Sequence, residues 1–139
     1  MKSVNPWLIA GIIVLSLISF GSWYIFLKPG RNIANETAIS IKAEEIYDAY
    51  LKNEKIANNI YLDKAIIIRG KISDIKTNQQ GQQVIILETG DPIFGVVCTM
   101  SQSVTTSKGE FISIKGFCTG YTTDVVLRDC INAAGTQNK

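Results

Sequence analysis

Three cysteines are the residues of this chain with the widest range of possible chemistry: Cys98, Cys118 and Cys130. Zinc sites normally take four thiolate or imidazole ligands, and a catalytic cysteine needs a base beside it. The chain contains no histidine and no C-x-x-C pair, so the sequence favours neither a metal site nor a cysteine nucleophile. Two interpretations stay open: small buried thiols, or a disulfide if the domain lies in an oxidising compartment.

Carboxylates are the other side chains that could support catalysis, as a paired general acid and base. Here they are scattered along the chain without a motif, which is more typical of a solvated surface. The candidates are Glu54, Asp74, Asp91 and Asp129. We therefore expect a non-catalytic protein that needs no cofactor.

The elements that must position these residues follow a long apolar segment. Residues 6–27 carry no charged side chain, and about 20 apolar residues suffice to cross the hydrocarbon layer of a membrane as a helix. Trp7, Trp23 and Tyr24 lie near its ends, where aromatic side chains concentrate in membrane helices. The sequence thus predicts an uncleaved single-pass transmembrane helix over 6–27, after a short overhang at 1–5.

The flanking charges do not decide which way residues 6–27 would be oriented in the membrane. Basic residues lie on both sides, and their count is close to a tie that leans towards a cytoplasmic domain. The five-residue overhang is typical of signal anchors whose bulk is exported. We expect a single-pass membrane protein with its soluble domain outside the cytoplasm, and the topology stays open.

The rest of the chain divides into a polar linker at 28–39, a folded domain at 40–131 and a small polar tail at 132–139 that we expect to be frayed. Three of the fourteen basic residues flank the apolar segment. The remaining eleven are opposed by twelve acidic residues, a net charge of −1. This balance lacks the basic stripe of nucleic-acid binders, so it disfavours a nucleic-acid partner.

Hydrophobic periodicity predicts one amphipathic helix and five short strands within the domain. In the helix, apolar residues recur at spacings of three and four, and Ser40 is a candidate N-cap. The strands show period-two alternation or short apolar runs bounded by turn formers. The helix is predicted over residues 40–58, three strands over 64–75, 83–88 and 93–100, and a two-stranded hairpin over 110–131.

Three stretches carry a resemblance to a known family: YLKNEKIANNIYLDKAIIIRGKI at 50–72, GVVC at 95–98 and GFCTGYTTDVVLRDC at 116–130. Together they resemble the tRNA-anticodon-like OB-fold family, which comprises bacterial membrane-anchored or lipoprotein modules. The resemblance covers about residues 40–131. It implies a mainly β fold, with an amphipathic helix before a five-stranded OB barrel. It implies no activity. Many relatives would be lipidated on a cysteine, whereas here a bare helix is expected to anchor the chain.

The strand order that this resemblance implies limits which two of the three cysteines could form a disulfide. In a barrel of this type the fifth strand lies between the third and the fourth, so Cys98 and Cys118 would be near 10 Å apart, beyond bridging range. Within the hairpin, Cys118 is expected opposite about Val125, too far from Cys130. The pair that could bridge is therefore Cys98–Cys130, and three free thiols are the alternative.

A ligand face is expected where OB folds usually bind, along the second and third strands and under two loops. The residues expected on or near that face are Arg69, Gln80, Phe94 and Tyr121. Single-strand binders use several exposed aromatics in a basic groove, and here Phe94 and Tyr121 could instead belong to the core and the barrel end. We expect a membrane-anchored binding module for an unidentified protein, peptide or envelope glycan. A single-stranded nucleic-acid-binding domain is the alternative.

Overall fold

The computed structural model describes residues 5–26 and 30–134. The chain divides into two compact units, Met1–Arg31 and Asn32–Lys139, and the first unit contains helix α1 (Pro6–Phe26). Most of the predicted overhang at 1–5 and of the predicted tail at 132–139 lies outside the described residues.

The predicted transmembrane helix over residues 6–27 is the part of the fold prediction that is wrong. Among the described residues, no helix combines the length and the apolar character that a membrane crossing requires.

In the described residues of the second unit, a short 3-10 helix (Ile33–Asn35) precedes six strands and two α-helices: β1 (Ile39–Lys42), α2 (Ala43–Lys52), α3 (Glu54–Tyr61), β2 (Ala65–Thr77), β3 (Gln83–Leu87), β4 (Val96–Met100), β5 (Phe111–Tyr121) and β6 (Val125–Asn132). Five of the strands close a barrel in the order β2-β3-β4-β6-β5, with β5 returning to β2. β1 adds to the edge of β2. The mainly β fold, the five-stranded barrel and the place of the last strand between the third and fourth barrel strands confirm the prediction.

The barrel closes because β2 is long and bent. Residues 65–71 pair antiparallel with β5, and from Ile72 onward β2 pairs antiparallel with β3. The register shifts between Ile72 and Asp74, and such a bulge bends a strand and increases its twist. One strand can therefore belong to both sides of the barrel.

Alternating side chains of the strands fill the barrel interior, and the two helices cover one part of it. Packed apolar interiors of this kind supply most of the favourable free energy of folding. The largest fully buried side chains are Ile46 and Tyr50 of α2, Ile66, Ile68 and Ile72 of β2, Ile85 and Leu87 of β3, Val96 and Met100 of β4, Ile114 and Phe117 of β5, and Leu127 of β6.

The segment predicted as one helix over residues 40–58 is divided at Asn53. This residue has an extended backbone (φ −161°, ψ 97°), which ends α2. Its side-chain Oδ1 accepts the backbone N–H of Ile56 at 3.1 Å and so caps α3. The apolar spacing continues across the break, which is why periodicity alone predicts a single helix.

The start of that helix was also predicted wrongly. Ser40 lies in β1, which pairs in parallel with β2, and it is not an N-cap. The helix begins at Ala43, and the Glu45 Oε2 accepts the backbone N–H of Lys42 at 3.3 Å. Strand pairing thus takes the first residues of the predicted helix, because tertiary hydrogen bonds override a weak local preference.

β4 begins at Val96, three residues later than predicted, because Asp91 organises the preceding loop. Its Oδ1 accepts the backbone N–H groups of Ile93 at 2.8 Å and of Phe94 at 3.0 Å. A short carboxylate that bonds nearby backbone groups in this way favours a turn over a strand.

The β5–β6 hairpin has a different register from the one predicted. Cys118 lies opposite Leu127, whereas the sequence placed it opposite about Val125. The register shifts between Cys118 and Gly120, and Gly120 adopts φ 110°, a conformation that suits glycine.

Lys115 fastens the beginning of the second unit to the barrel. Its side chain is only 3% exposed, and its Nζ donates to the backbone carbonyls of Ala34 at 3.1 Å and of Glu36 at 2.6 Å. A buried ammonium is tolerated only when such acceptors replace water. The bonds therefore fix the segment that leads into β1.

Replacing this ammonium tests the role of the contact. Lys115→Met leaves the two carbonyls without their donor, and we expect the free energy of unfolding to fall by about 1–3 kcal/mol. Urea titration of the full chain measures it. Lys55→Met, on an exposed lysine of α3, is the matched control. Equal midpoints for the two variants would contradict the assignment.

Candidate ligand-binding groove

A groove lies between the end of β1 and the end of β3, which pair with successive parts of β2. β1 pairs with β2 as far as Arg69, and β3 pairs with it from Ile72. The start of α2 and the end of β3 border the space between them, which has a volume of about 540 Å³. We call it the β1–β2 groove. It is lined by Ser40, Ile41, Lys42, Ala43, Glu44, Glu45, Arg69, Gly70, Lys71, Glu88 and Phe111.

Opposite charges line the β1–β2 groove in equal number. The cations are Lys42, Arg69 and Lys71, and the carboxylates are Glu44, Glu45 and Glu88. Lys71 Nζ lies 3.4 Å from Glu88 Oε1, and both side chains are nearly half exposed. Exposed pairs of this kind contribute only about 0–1 kcal/mol, so a ligand can replace either partner at little cost. Arg69 is exposed and forms no ion pair within the described residues.

Phe111 contributes an apolar platform at the edge of the β1–β2 groove. It is the first residue of β5, it lies opposite Lys71, and its side chain is 82% exposed. Aromatic rings carry a large apolar area and therefore dominate the binding energy of many interfaces. Among the described residues, none covers most of the Phe111 ring, so the ring is available to contact a ligand.

The sequence analysis missed Phe111, although the strand pattern held a signal. Ile112 and Ile114 lie on the side of β5 that faces the core. Phe111 and Ser113 alternate with them and so fall on the opposite side of the strand. A large aromatic on the outward side of an alternating strand is the observation that could have singled it out.

The four residues predicted for a ligand face lie in different places. Arg69 lines the β1–β2 groove. Gln80 is exposed in the β2–β3 turn, where its backbone N–H donates to Asn78 Oδ1 at 3.0 Å. Phe94 packs partly against the core, and Tyr121 stacks in an aromatic cluster. The structure therefore does not bring these four side chains together.

Tyr121 belongs to a cluster of tyrosines between α2 and the β5–β6 hairpin. Its ring stacks on Tyr50 at 5.6 Å between centroids and meets the edge of Tyr47 at 6.1 Å. Burial, followed by the negative charge of Asp91, raises the pKa of Tyr47 to about 12. The Tyr47 hydroxyl thus stays protonated at neutral pH, and the cluster holds α2 against the barrel.

All three cysteines are buried as free thiols in the barrel. Tyr50 Oη lies 3.4 Å from Cys118 Sγ, and burial raises the pKa of the Cys118 thiol. A hydrogen bond to Cys130, together with burial, raises the pKa of Cys98. A thiol with a raised pKa is a poor nucleophile at neutral pH. Among the described residues, no group of three or more acidic, cysteine or histidine side chains is arranged to hold a metal ion.

A second hollow of about 490 Å³ lies on the outer side of β2 and β3. The loop that follows β3 forms one wall, and it presents Ile93, whose side chain is 78% exposed. Phe94 and Lys108 also line this hollow. It has no aromatic side chain as exposed as Phe111, and it is lined by three charged residues where the β1–β2 groove has six.

The closed five-stranded barrel with this strand order places the chain in the OB-fold class, an architecture that is widely used for binding. The chain belongs to the family described as tRNA_anti-like, whose model matches residues 1–131.

One similar solved structure is a crystal structure from Klebsiella pneumoniae of a protein described as a "putative nucleic acid-binding lipoprotein". The two chains share 17% sequence identity with a TM-score of 0.51, and the match covers 76% of this chain and 98% of that chain. A likeness at this identity shows the common fold alone. A comparison with curated proteins gave no match.

Acid titration tests the role of Asp91 in shaping the loop between β3 and β4. Hydrogen bonds from the N–H groups of Ile93 and Phe94 hold the pKa of Asp91 below its usual value. Its contribution to stability is therefore present above the unfolded-state pKa, near 4, and is lost as the pH falls through the lower folded-state value.

We expect wild type to be more stable than Asp91→Asn at pH 7, and the difference to shrink as the pH falls below about 4. Thermal unfolding across this range measures it. Asp48→Asn, on the exposed side of α2, is the matched control. A difference that stays constant between neutral and acidic pH would contradict this assignment.

Proposed function

We propose that this chain is a non-catalytic OB-fold binding module whose β1–β2 groove takes a peptide segment of a partner protein. The observation that carries the proposal is the combination of an 82% exposed Phe111 with a groove of balanced charge. The volume of about 540 Å³ is within the range of pockets that hold small ligands or a few side chains.

A peptide matches the groove better than a neutral glycan does. A peptide offers an apolar side chain for Phe111, and its own charges or backbone dipoles can pair with both the cations and the carboxylates of the groove. A neutral sugar could stack on Phe111, but it would leave six charged side chains with only weak partners. Desolvating charges without partners is costly.

A single-stranded nucleic acid is the second candidate. The Klebsiella protein of similar fold is described as nucleic acid-binding, and Arg69, Lys71 and Phe111 together offer cations beside a stacking surface. The comparisons with known proteins do not support the expectation, drawn from net charge, that a nucleic-acid partner is disfavoured. Against this candidate, Glu44, Glu45 and Glu88 would repel phosphates within the same groove.

The extracytoplasmic location stays a prediction. The description of the Klebsiella protein as a lipoprotein supports membrane association and nothing finer. Protease access to the domain in intact cells tests the location directly.

Removal of the aromatic platform tests the peptide proposal. A random peptide library displayed on phage is selected against the full chain, and the affinity of an enriched peptide is then measured by fluorescence anisotropy. Phe111→Ala should weaken binding by about tenfold or more, because an apolar contact of ring size is lost.

Ile93→Ala is the matched control for this measurement. Ile93 is comparably exposed but lines the second hollow, so its removal should leave the affinity unchanged within about twofold. A selection that enriches no peptide, or a peptide that binds Phe111→Ala as tightly as wild type, would count against the proposal.

Salt dependence tests the nucleic-acid candidate. A labelled oligothymidine should bind the full chain at low salt, with log affinity falling against log salt at a slope of about −2 if all three groove cations contact phosphates. Arg69→Gln should weaken this binding, whereas Arg128→Gln, on an exposed arginine outside the groove, should not. No binding at low salt would exclude the candidate.

A further inference from the structure

Two of the three buried cysteines lie on neighbouring strands. Cys98 is on β4 and Cys130 is on β6, and these two strands pair in parallel. Cys98 lies opposite Leu127, and Met100 lies opposite Cys130. All four side chains belong to the same buried core. The two cysteines are therefore diagonal neighbours inside the barrel.

An irregularity in β6 places Cys130 on the inner face of the barrel, where Cys98 of β4 also lies. One residue lies between Cys98 and Met100 along β4, whereas two lie between Leu127 and Cys130 along β6, and the register shifts there. Asp129 within this stretch adopts φ 53°, which is uncommon for a residue other than glycine. The additional residue turns Cys130 back towards the core, where regular alternation would have turned it outward.

The neighbouring strand leaves room for the sulfur of Cys130. A Cβ at Gly116 of β5 would lie 2.5 Å from Cys130 Sγ, so only glycine fits there without displacing the thiol. The neighbouring Cys130 thiol, together with burial, raises the pKa of Cys98, which agrees with the diagonal placement of the two residues on β4 and β6. Cys118, in contrast, contacts the hydroxyl of Tyr50.

We propose that Cys98 and Cys130 form a disulfide inside the barrel, and that Cys118 stays a free thiol beside Tyr50. The bond would fasten β4 to β6 and enclose residues 99–129, the part of the chain that includes Phe111 of the β1–β2 groove. A covalent link across about 30 residues stabilises a domain chiefly by restricting its unfolded state.

The chemistry requires a disulfide-containing oxidant. The two thiols lose two protons and two electrons as the sulfur–sulfur bond forms, and the oxidant's own disulfide accepts them and becomes two thiols. A thiolate of one cysteine attacks the oxidant's disulfide, which releases one of the oxidant's thiols and leaves a mixed disulfide. The other cysteine then attacks the sulfur of the first cysteine in that mixed disulfide and displaces the oxidant's second thiol. Both thiols are buried in the finished barrel, so the exchange takes place while the chain folds.

Peptide mapping after oxidative refolding tests the proposal. The full chain is reduced, denatured and refolded in a mixture of reduced and oxidised glutathione, then quenched, alkylated in denaturant and cut with trypsin without reductant. Trypsin separates the three cysteines onto three peptides, residues 77–108, 116–128 and 129–139. Each possible bridge thus gives a different pair of linked peptides.

We expect peptide 77–108 linked to peptide 129–139, and peptide 116–128 alkylated at Cys118. Alkylation of all three cysteines, or a bridge that includes Cys118, would overturn the proposal. Cys118→Ser is the matched control and should keep the bridge. Cys98→Ser should leave the remaining two thiols alkylated. If that variant does not fold, the wild-type map still decides the question.

Discussion

The bend of β2 is the constraint on which the rest of the domain depends, because this single strand pairs with three others. Its first half pairs with β5 on one edge and with β1 on the other, and its second half pairs with β3. Gly70 lies at the change of partner, where a Cβ would be 3.0 Å from the Cβ of Ala43 and 3.3 Å from that of Leu87. The bend that closes the barrel therefore also opens the β1–β2 groove.

The groove takes its rigidity from the core beneath it. α2 begins at the groove with Ala43, and its next turns bury Ile46, Tyr47 and Tyr50 against the barrel. Side chains presented by packed strands and helices keep their positions better than side chains on loops. A ligand would therefore meet a largely preformed surface, and less of its binding energy would be spent on ordering the protein.

Alternation in the strands was sufficient to predict a small barrel, because it reflects local geometry. The strand order and the family followed from the resemblance of residues 50–72, 95–98 and 116–130 to a known family. The sequence was not sufficient for features that depend on distant contacts. Asn53 divides a continuous apolar stripe by capping α3, and Ser40 lies in β1 because β2 is available to pair with it. The groove is formed by residues on or next to β1, α2, β2, β3 and β5, and no local sequence pattern predicts that these elements lie side by side. The only indication in the sequence is that Phe111 falls on the outward-facing side of β5.

Hydrogen exchange on the full chain, with and without a peptide selected for binding, tests the central claim most directly. Amide exchange reports where a ligand covers or orders the backbone. The account predicts slower exchange at residues 40–45 and 69–71 and at the start of β5 when the peptide binds. Protection confined to β3, β4 and the loop between them would place the ligand on the other side of β2 and would contradict the account.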